Sequence, residues 1–239
     1  MKSTEIKLPK KITPCPIIDA LLEIRFSINT DPNAVFGQLY SYFKESFSKP
    51  ESLPILQVPE YIRKVDPNFQ FKPHYRLEKD GFILQIGSDV LTISSFPEYI
   101  GWNNFSEMIY EILKKVKTSD IIDRISRLGL RYVNFFELNI FDHINLDVHM
   151  TGNSITEKNI IIKTEINGDD FKQTLQISNH AQSGEKFGSI IDIDTFKDIE
   201  LEDFFNNQEK LIEFVHLQEK HLFFSLLKDE FLQNFNPEY

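Results

Sequence analysis

Residues 16–26 show an alternation of side chains that predicts a β-strand with two unlike faces. Leu22 and Ile24 fall on one face, and Glu23 and Arg25 fall on the other, because successive strand side chains point to opposite sides of a sheet. A carboxylate and a guanidinium on a covered sheet face need polar partners. The segment is therefore either a candidate binding site or a candidate buried ion-pair network.

The rest of the chain alternates between strand-like and helix-like apolar patterns. Apolar positions at helical spacing predict two amphipathic helices, over about residues 35–47 and 105–116. Five prolines within residues 50–74 predict a long surface loop. Asp80-Gly81, between two apolar runs, indicates a β-hairpin turn. Further strands are predicted over residues 74–77, 82–86, 90–94, 125–138, 145–151, 159–166, 171–179 and 188–195.

The order of these elements predicts an α+β fold. Residues 15–140 follow the β-α-β-β-α-β rhythm of a ferredoxin-like block, and residues 141–239 read as a β-meander followed by a long acidic helix. That helix, over about residues 201–235, would extend about 50 Å, with a polar stretch at 215–222 where it leaves the core or kinks. Residues 1–14 form a polar N-terminal arm. We expect one intertwined globular unit, with helices on one side of a continuous antiparallel sheet.

Charge is concentrated at the C-terminal end. Of the net charge of −10, residues 192–239 carry −8, from 12 acidic and 4 basic residues. The balance argues against a general nucleic-acid binder, which needs a basic surface to displace counterions, although a local basic groove in residues 1–191 is still possible.

No apolar run is long enough to span a bilayer, and the N-terminus lacks the apolar segment of a signal peptide. We therefore expect a cytoplasmic protein with no membrane partner.

The chain lacks the short motifs that announce common catalytic chemistry. Neither a nucleophile elbow, a phosphate-binding loop, a zinc-protease motif nor a dinucleotide fingerprint occurs in the sequence. Cys15 is the single cysteine, which excludes an intramolecular disulfide and a cysteine-based zinc site. The sequence predicts no cofactor, and it favours a non-enzymatic protein.

Arg127 and Arg131 are the predicted neighbours of the charged strand face. They share one face of their strand with Gly129, and in a ferredoxin-like order this last strand pairs with the first. Arg131 would then lie beside Glu23 and Arg25, and spare positive charge would attract an anion or a carboxylate of a partner protein. The alternative is a structural salt-bridge network across adjacent strands.

Asp192 and Asp194 lie on one face of a predicted strand, a spacing that suits a divalent cation. With Glu165 they would form the metal site of a hydrolase or nucleic-acid-processing enzyme. The simpler interpretation is a solvent-facing strand surface.

One tryptophan and two histidines supply further candidates. Trp102, after Gly101, would either stack a planar ligand or fill the core at the start of a helix. His216 and His221 are five residues apart on the terminal helix, so they diverge by about 140° and do not share a metal. We expect them to face solvent or an interface.

Several of these segments together resemble a sporadically distributed prokaryotic protein family for which no activity is established. The match covers about the first 140 residues in the same order. It rests on Pro16-Ile17-Ile18-Asp19-Ala20, Glu23-Ile24-Arg25-Phe26, Gln85-Ile86-Gly87, Tyr99-x-Gly-Trp102-x-x-Phe105 and Arg127-x-Gly-Leu-Arg131-Tyr132. The patchy distribution of that family implies mobile or defence-associated genes.

Taken together, the sequence predicts a binding or interaction module. The face carrying Glu23, Arg25, Arg127 and Arg131 would hold a small anionic ligand or a protein partner. The long acidic helix would mediate a homodimer. The metal-dependent enzyme built on the paired aspartates is the alternative.

Overall fold

The chain folds into two compact units. The computed structural model describes residues 7–199 and 201–239, so residues 1–6 of the predicted N-terminal arm lie outside the described residues. The first unit consists of Asp19–Leu130 and Phe196–Ile212, and the second of Met1–Ile18, Arg131–Thr195 and Glu213–Tyr239.

Six strands contribute to the first unit. They are β1 (Ile17–Ile28), β2 (Glu51–Ser52), β3 (Tyr75–Lys79), β4 (Phe82–Ile86), β5 (Val90–Ser95) and β6 (Ile122–Phe136). Their hydrogen-bonded order is β2-β3-β4-β5-β1-β6, and the registered pairs from β2 through β5 to β1 are antiparallel. The charged strand β1 therefore lies inside the sheet, between β5 and β6.

The hairpin predicted at Asp80-Gly81 is confirmed. Both residues have positive φ, 45° and 84°, and Lys79 is registered opposite Phe82. Two positive φ values in a two-residue loop match the twist of the flanking strands, which explains why Asp-Gly stands at this position.

The two helices predicted for the first unit are α1 (Val35–Phe43) and α3 (Trp102–Ser119), and a further helix, α2 (Glu60–Val65), lies between them in the chain. In α1 the buried residues are Val35, Leu39 and Phe43, four residues apart, so a single apolar stripe faces the core. The proline-rich segment predicted as a loop contains α2 and two short 3₁₀ helices, Pro54–Gln57 and Pro67–Phe69. A proline begins each of these 3₁₀ helices, where its missing N–H costs nothing.

The second unit contains the predicted meander. Its strands are β7 (His149–Met150), β8 (Asn153–Ser154), β9 (Ile161–Asn167), β10 (Lys172–Ser183) and β11 (Lys186–Lys197). In the order β6-β11-β10-β9, the three strands β9, β10 and β11 that follow one another in the chain lie side by side. The strand predicted over residues 145–151 is reduced to β7, which pairs with β8 in a separate two-stranded sheet.

The long C-terminal helix is present but shorter than predicted. Helix α4 (Leu201–Leu226) ends nine residues before Phe235 and is followed by α5 (Asp229–Leu232). Asn145 explains the end: its backbone N–H donates to the carbonyl of Leu226, and its side-chain amide donates to the carbonyl of Leu227. The non-helical residue inside α4 is Asn207, with φ −126°, so the kink predicted within residues 215–222 was placed wrongly.

The architecture is α+β, a large antiparallel sheet with helices, as predicted. Among the described residues, no helix is both long and apolar enough to cross a membrane.

Candidate functional site

Strand β1 places its charged side chains on one face of the sheet. Leu22 and Ile24 have no solvent exposure, whereas Glu23 and Arg25 on the opposite face are partly buried. This is the alternation that the sequence predicted, and it fixes which side of the sheet carries the charges.

Glu23 is the centre of an ion-pair network within the first unit. Its Oε1 accepts a hydrogen bond from Arg25 Nε at 2.7 Å and a second, short one from Arg127 Nη1. The side chains of Glu23 and Arg127 are only 17% and 13% exposed. Because charge-assisted hydrogen bonds are the strong ones, this part of the predicted site is a structural network as well as a charged surface.

Each arginine of the network also lies over an aromatic ring. The Arg127 guanidinium is 4.4 Å from the ring centre of Phe196, and that of Arg25 is 4.5 Å from Phe71. Gly129 makes room for Arg127, because a Cβ at that position would lie 2.8 Å from Arg127 Nη1. The gap predicted at Gly129 is therefore filled by the guanidinium of the same chain.

We expect Glu23→Gln to lower the free energy of unfolding by about 1–2 kcal/mol. The guanidinium groups of Arg25 and Arg127 would lose a charged acceptor at a position that is largely shielded from water. Arg131→Ala is the control, since its ion pair is more exposed and should matter by less than about 1 kcal/mol. Urea denaturation of both variants measures the difference. Equal effects would show that the Glu23 network is no stronger than a surface pair.

Arg131 has a partner within the second unit. Its Nε and Nη2 donate to the two carboxylate oxygens of Asp192 at 2.8 and 2.7 Å. The Arg131 side chain is 44% exposed and that of Asp192 13%. Arg131 had been predicted beside Glu23 and Arg25, and the bidentate pair with Asp192 was not foreseen.

The same pair bears on the metal site predicted at Asp192 and Asp194. Both oxygens of Asp192 accept hydrogen bonds from Arg131, and Asp194 has interactions of its own. Throughout residues 7–199 and 201–239, no group of three or more His, Cys, Asp or Glu side chains is placed to hold a metal ion. The geometry therefore gives the paired aspartates no support as a metal centre.

Trp102 and the two histidines occupy different environments. Trp102 is the first residue of α3, partly buried, and its ring contacts Phe105 edge to face with 6.4 Å between ring centres. His221 is exposed, as expected. His216 is 5% exposed, and its Nδ1 shares a hydrogen bond of 3.1 Å with the hydroxyl of Tyr132. The prediction of a surface position for His216 was wrong, because the helix turns this side chain inward, where the Tyr132 hydroxyl is its hydrogen-bond partner.

A cleft in the first unit, which the sequence did not reveal, has a volume of about 440 Å³. Its walls come from the start of α1, from the proline-rich segment with α2, and from the turn between β4 and β5. The lining residues are Pro32, Asn33, Phe36, Leu56, Glu60, Arg63, Lys64, Val65, Asp66, Pro67, Phe69, Gln70, Lys72, His74, Tyr75, Gly87, Ser88 and Asp89.

Arg63 and His74 form the polar centre of the cleft. Arg63 Nε donates to the carbonyl oxygen of Val58 at 3.0 Å, and its Nη1 lies 3.1 Å from His74 Nε2. Arginine can only donate, so Nε2 is the acceptor and the imidazole proton resides on Nδ1. Burial, and secondarily the charge of Arg63, lowers the pKa of His74. His74 is therefore neutral at physiological pH.

Asp89 connects the cleft to the charged strand. Burial raises the pKa of its carboxyl group above the ordinary value, although the Phe71 backbone N–H and the charge of Arg25 act in the opposite direction. The backbone carbonyl of Asp89 accepts from the N–H of Phe26 in β1. Phe71, which covers Arg25, therefore also contacts the carboxyl group that lines the cleft.

Gly87 lets the proline-rich segment lie directly on the β4–β5 turn. A Cβ at this position would be 2.8 Å from the backbone oxygen of Lys72. The N–H of His74 donates to the carbonyl of Ile86 on the same turn. These backbone contacts hold His74 in the cleft wall independently of its side chain.

No protein-family model and no curated protein matches the chain. The resemblance drawn from its motifs therefore stays a prediction.

Proposed function

We propose that the first unit is a binding module whose cleft takes a small organic anion, with Arg63 as the anchor. The supporting observation is the hydrogen bonding of Arg63. A guanidinium has five N–H groups; those of Arg63 bond Val58 and His74, and three have no acceptor among the described residues. A carboxylate or phosphate is the acceptor that fits such a planar array.

The neighbouring groups leave this position to a ligand. Two acidic residues lie three positions from Arg63 in the sequence. Glu60 forms its ion pair with Lys64 at 2.6 Å, and Asp66 Oδ1 accepts two hydrogen bonds from Asn68. His74 is neutral and turns its only acceptor nitrogen toward Arg63. Glu60 feels the charge of Arg63 but forms its ion pair with Lys64, so an arriving anion would supply the direct acceptor for the remaining N–H groups of Arg63.

The remaining lining residues favour a ligand of low charge with an apolar body. Three basic residues (Arg63, Lys64, Lys72) are balanced by three acidic ones (Glu60, Asp66, Asp89), which argues against a polyphosphate. Phe36, Phe69 and Leu56 supply apolar wall. A volume of about 440 Å³ lies in the range of ordinary small-molecule sites, about 300–1,000 Å³. An aromatic or aliphatic monocarboxylate or phosphate monoester fits both properties.

We expect phenyl phosphate and benzoate to raise the melting temperature of the protein at millimolar concentration, and the neutral benzyl alcohol not to do so. A ligand that binds only the folded state stabilises it by mass action. In Arg63→Ala the affinity for both anions should fall at least tenfold, since a bidentate charged contact is lost.

Two further variants serve as controls for the charge and the position of Arg63. Arg63→Lys retains the charge but loses the planar array, so it should bind more weakly than wild type while folding normally. Arg124→Ala removes an exposed arginine that does not line the cleft, and should bind as wild type does. Equal binding by wild type and Arg63→Ala, or stabilisation by neither anion, would refute the proposal.

A further inference from the structure

Strand β9 ends the strand order of the second unit, and one of its long edges is open. On one side it pairs antiparallel with β10 from Lys172 to Ser178, and among the described residues no strand pairs on the other side. An edge strand exposes a row of unpaired N–H and C=O groups that can accept another strand. Ile161 on this strand is 70% exposed.

The side chains of β9 read almost the same in both directions around Thr164. The strand is Ile161-Ile162-Lys163-Thr164-Glu165-Ile166-Asn167. Isoleucines lie two residues before and after Thr164, and a lysine and a glutamate flank it directly. Ile162 and Ile166 are partly buried against the apolar core, whereas Lys163 and Glu165 are exposed.

We propose that β9 pairs with β9 of a second copy of this chain, antiparallel, about a twofold axis at Thr164. In this register Lys163 of each copy lies opposite Glu165 of the other copy, so the charge pair forms twice. Ile162 lies opposite Ile166 and extends the apolar face of both sheets. Opposite charges and apolar residues directly across an antiparallel pair stabilise it, and a twofold axis makes both contacts recur.

The charges also reject the neighbouring registers. Sliding the second strand by two residues one way places Lys163 opposite Lys163, and sliding it the other way places Glu165 opposite Glu165. Like charges directly opposite destabilise a strand pair. A lysine on an edge strand ordinarily prevents pairing, but here Glu165 of the second copy neutralises it in one register only.

Partners for these charges within the chain are weak. On β10, Gln176 lies opposite Lys163, and Thr174 lies opposite Glu165. The ion pair between Glu165 and Lys172 is 3.9 Å long, and both side chains are about half exposed. Exposed pairs of this kind contribute little, so both charges are available to a second copy.

Sedimentation and light scattering from micromolar to near-millimolar concentration test the pairing. Wild type should form a weak dimer, because one strand of seven residues makes an interface smaller than those of tight complexes. Lys163→Glu should be monomeric, since it sets a second carboxylate opposite Glu165 of the other copy. Glu165→Lys should also be monomeric, since it places a second ammonium group opposite Lys163 of the other copy.

Recombining the charges separates this interface from any other. An equimolar mixture of the two single variants should give a heterodimer, and the double variant Lys163→Glu, Glu165→Lys should dimerise as wild type does. A monomeric wild type across the whole range overturns the proposal. So does a single variant that dimerises with undiminished affinity, which would assign the dimer to another surface such as the long helix α4.

Discussion

Gly188→Ala should lower the free energy of unfolding by at least about 3 kcal/mol, at the severe end of overpacking effects. A Cβ on residue 188 would overlap the carbonyl oxygen of Phe136 and lie 3.1 Å from Cα of Glu137. These are backbone atoms, which cannot rotate away as a side-chain end can. The methyl group therefore has to push the end of β6 away from β11.

The damage would spread because this contact positions the segment that follows β6. The hydroxyl of Ser189 donates to the carbonyl of Leu138 and accepts from the N–H of Ile140. Ile140 and Phe141 are buried in the apolar core of the second unit. Separating β11 from β6 thus loosens a core segment as well as a strand pair.

Gly37→Ala is the matched control, with the opposite sign. Gly37 lies inside α1, is exposed, and has nothing within 4 Å of a Cβ at its position. The same substitution should stabilise the protein by about 0.5–1 kcal/mol, through helix propensity and a less flexible unfolded chain. Urea denaturation compares both variants, and a Gly188→Ala midpoint equal to that of wild type would contradict the steric argument.

Elements were predictable where the periodicity was strong and local. Helix α3 and the β3–β4 hairpin follow directly from apolar spacing and from the Asp80-Gly81 dipeptide. The end of α4 was not predictable, because Asn145 caps it from a position about eighty residues earlier. The sequence of the helix itself does not indicate that the carbonyl oxygens at its end accept hydrogen bonds from Asn145.

Half of the charged strand site could be predicted, and the cleft could not. Alternation placed Glu23 and Arg25 together, and strand order brought the strand of Arg127 and Arg131 beside them. The arginine expected next to Glu23 was Arg131, and the one found there is Arg127. The partner of Arg131 is Asp192, 61 residues away, a contact that depends on the register of distant strands. Arg63 and His74 stand in a proline-rich segment that has no periodicity, so only the folded turn over Gly87 brings them together.

Glu219→Met should raise the free energy of unfolding by about 2–3 kcal/mol at pH 7–8, because it removes a carboxyl group that the fold does not satisfy. Glu219 is 3% exposed, and its Oε1 has no hydrogen-bond partner. Burial raises the pKa of this carboxyl group well above its ordinary value, against the smaller opposing effect of the Lys220 charge. Methionine has a similar length and keeps the helix.

The sign of the pH dependence follows from the raised pKa. The folded protein holds the Glu219 proton at pH values where the unfolded chain has released it. The stability associated with this group is therefore complete below about pH 4.5 and is lost as the pH rises through the folded-state pKa. The advantage of Glu219→Met should accordingly shrink on acidification toward pH 5.

His216 supplies an internal reference with the opposite slope. Burial, and secondarily the charge of Lys220, lowers its pKa from 6.5 to about 3. Between these pH values the imidazole of His216 is protonated in the unfolded chain and neutral in the folded protein. The free energy of unfolding therefore falls as the pH drops from 6.5 toward 3. This acid limb should persist in Glu219→Met.

Chemical denaturation between pH 4 and pH 9 separates charge from packing. Glu219→Gln keeps the shape without the titration, so its alkaline limb should be as flat as that of Glu219→Met, whatever its absolute stability. Glu209→Gln, at an exposed position of α4, should follow wild type within about 0.5 kcal/mol. An alkaline decline that survives in both Glu219 variants would mean that the buried carboxyl group does not limit stability at neutral pH.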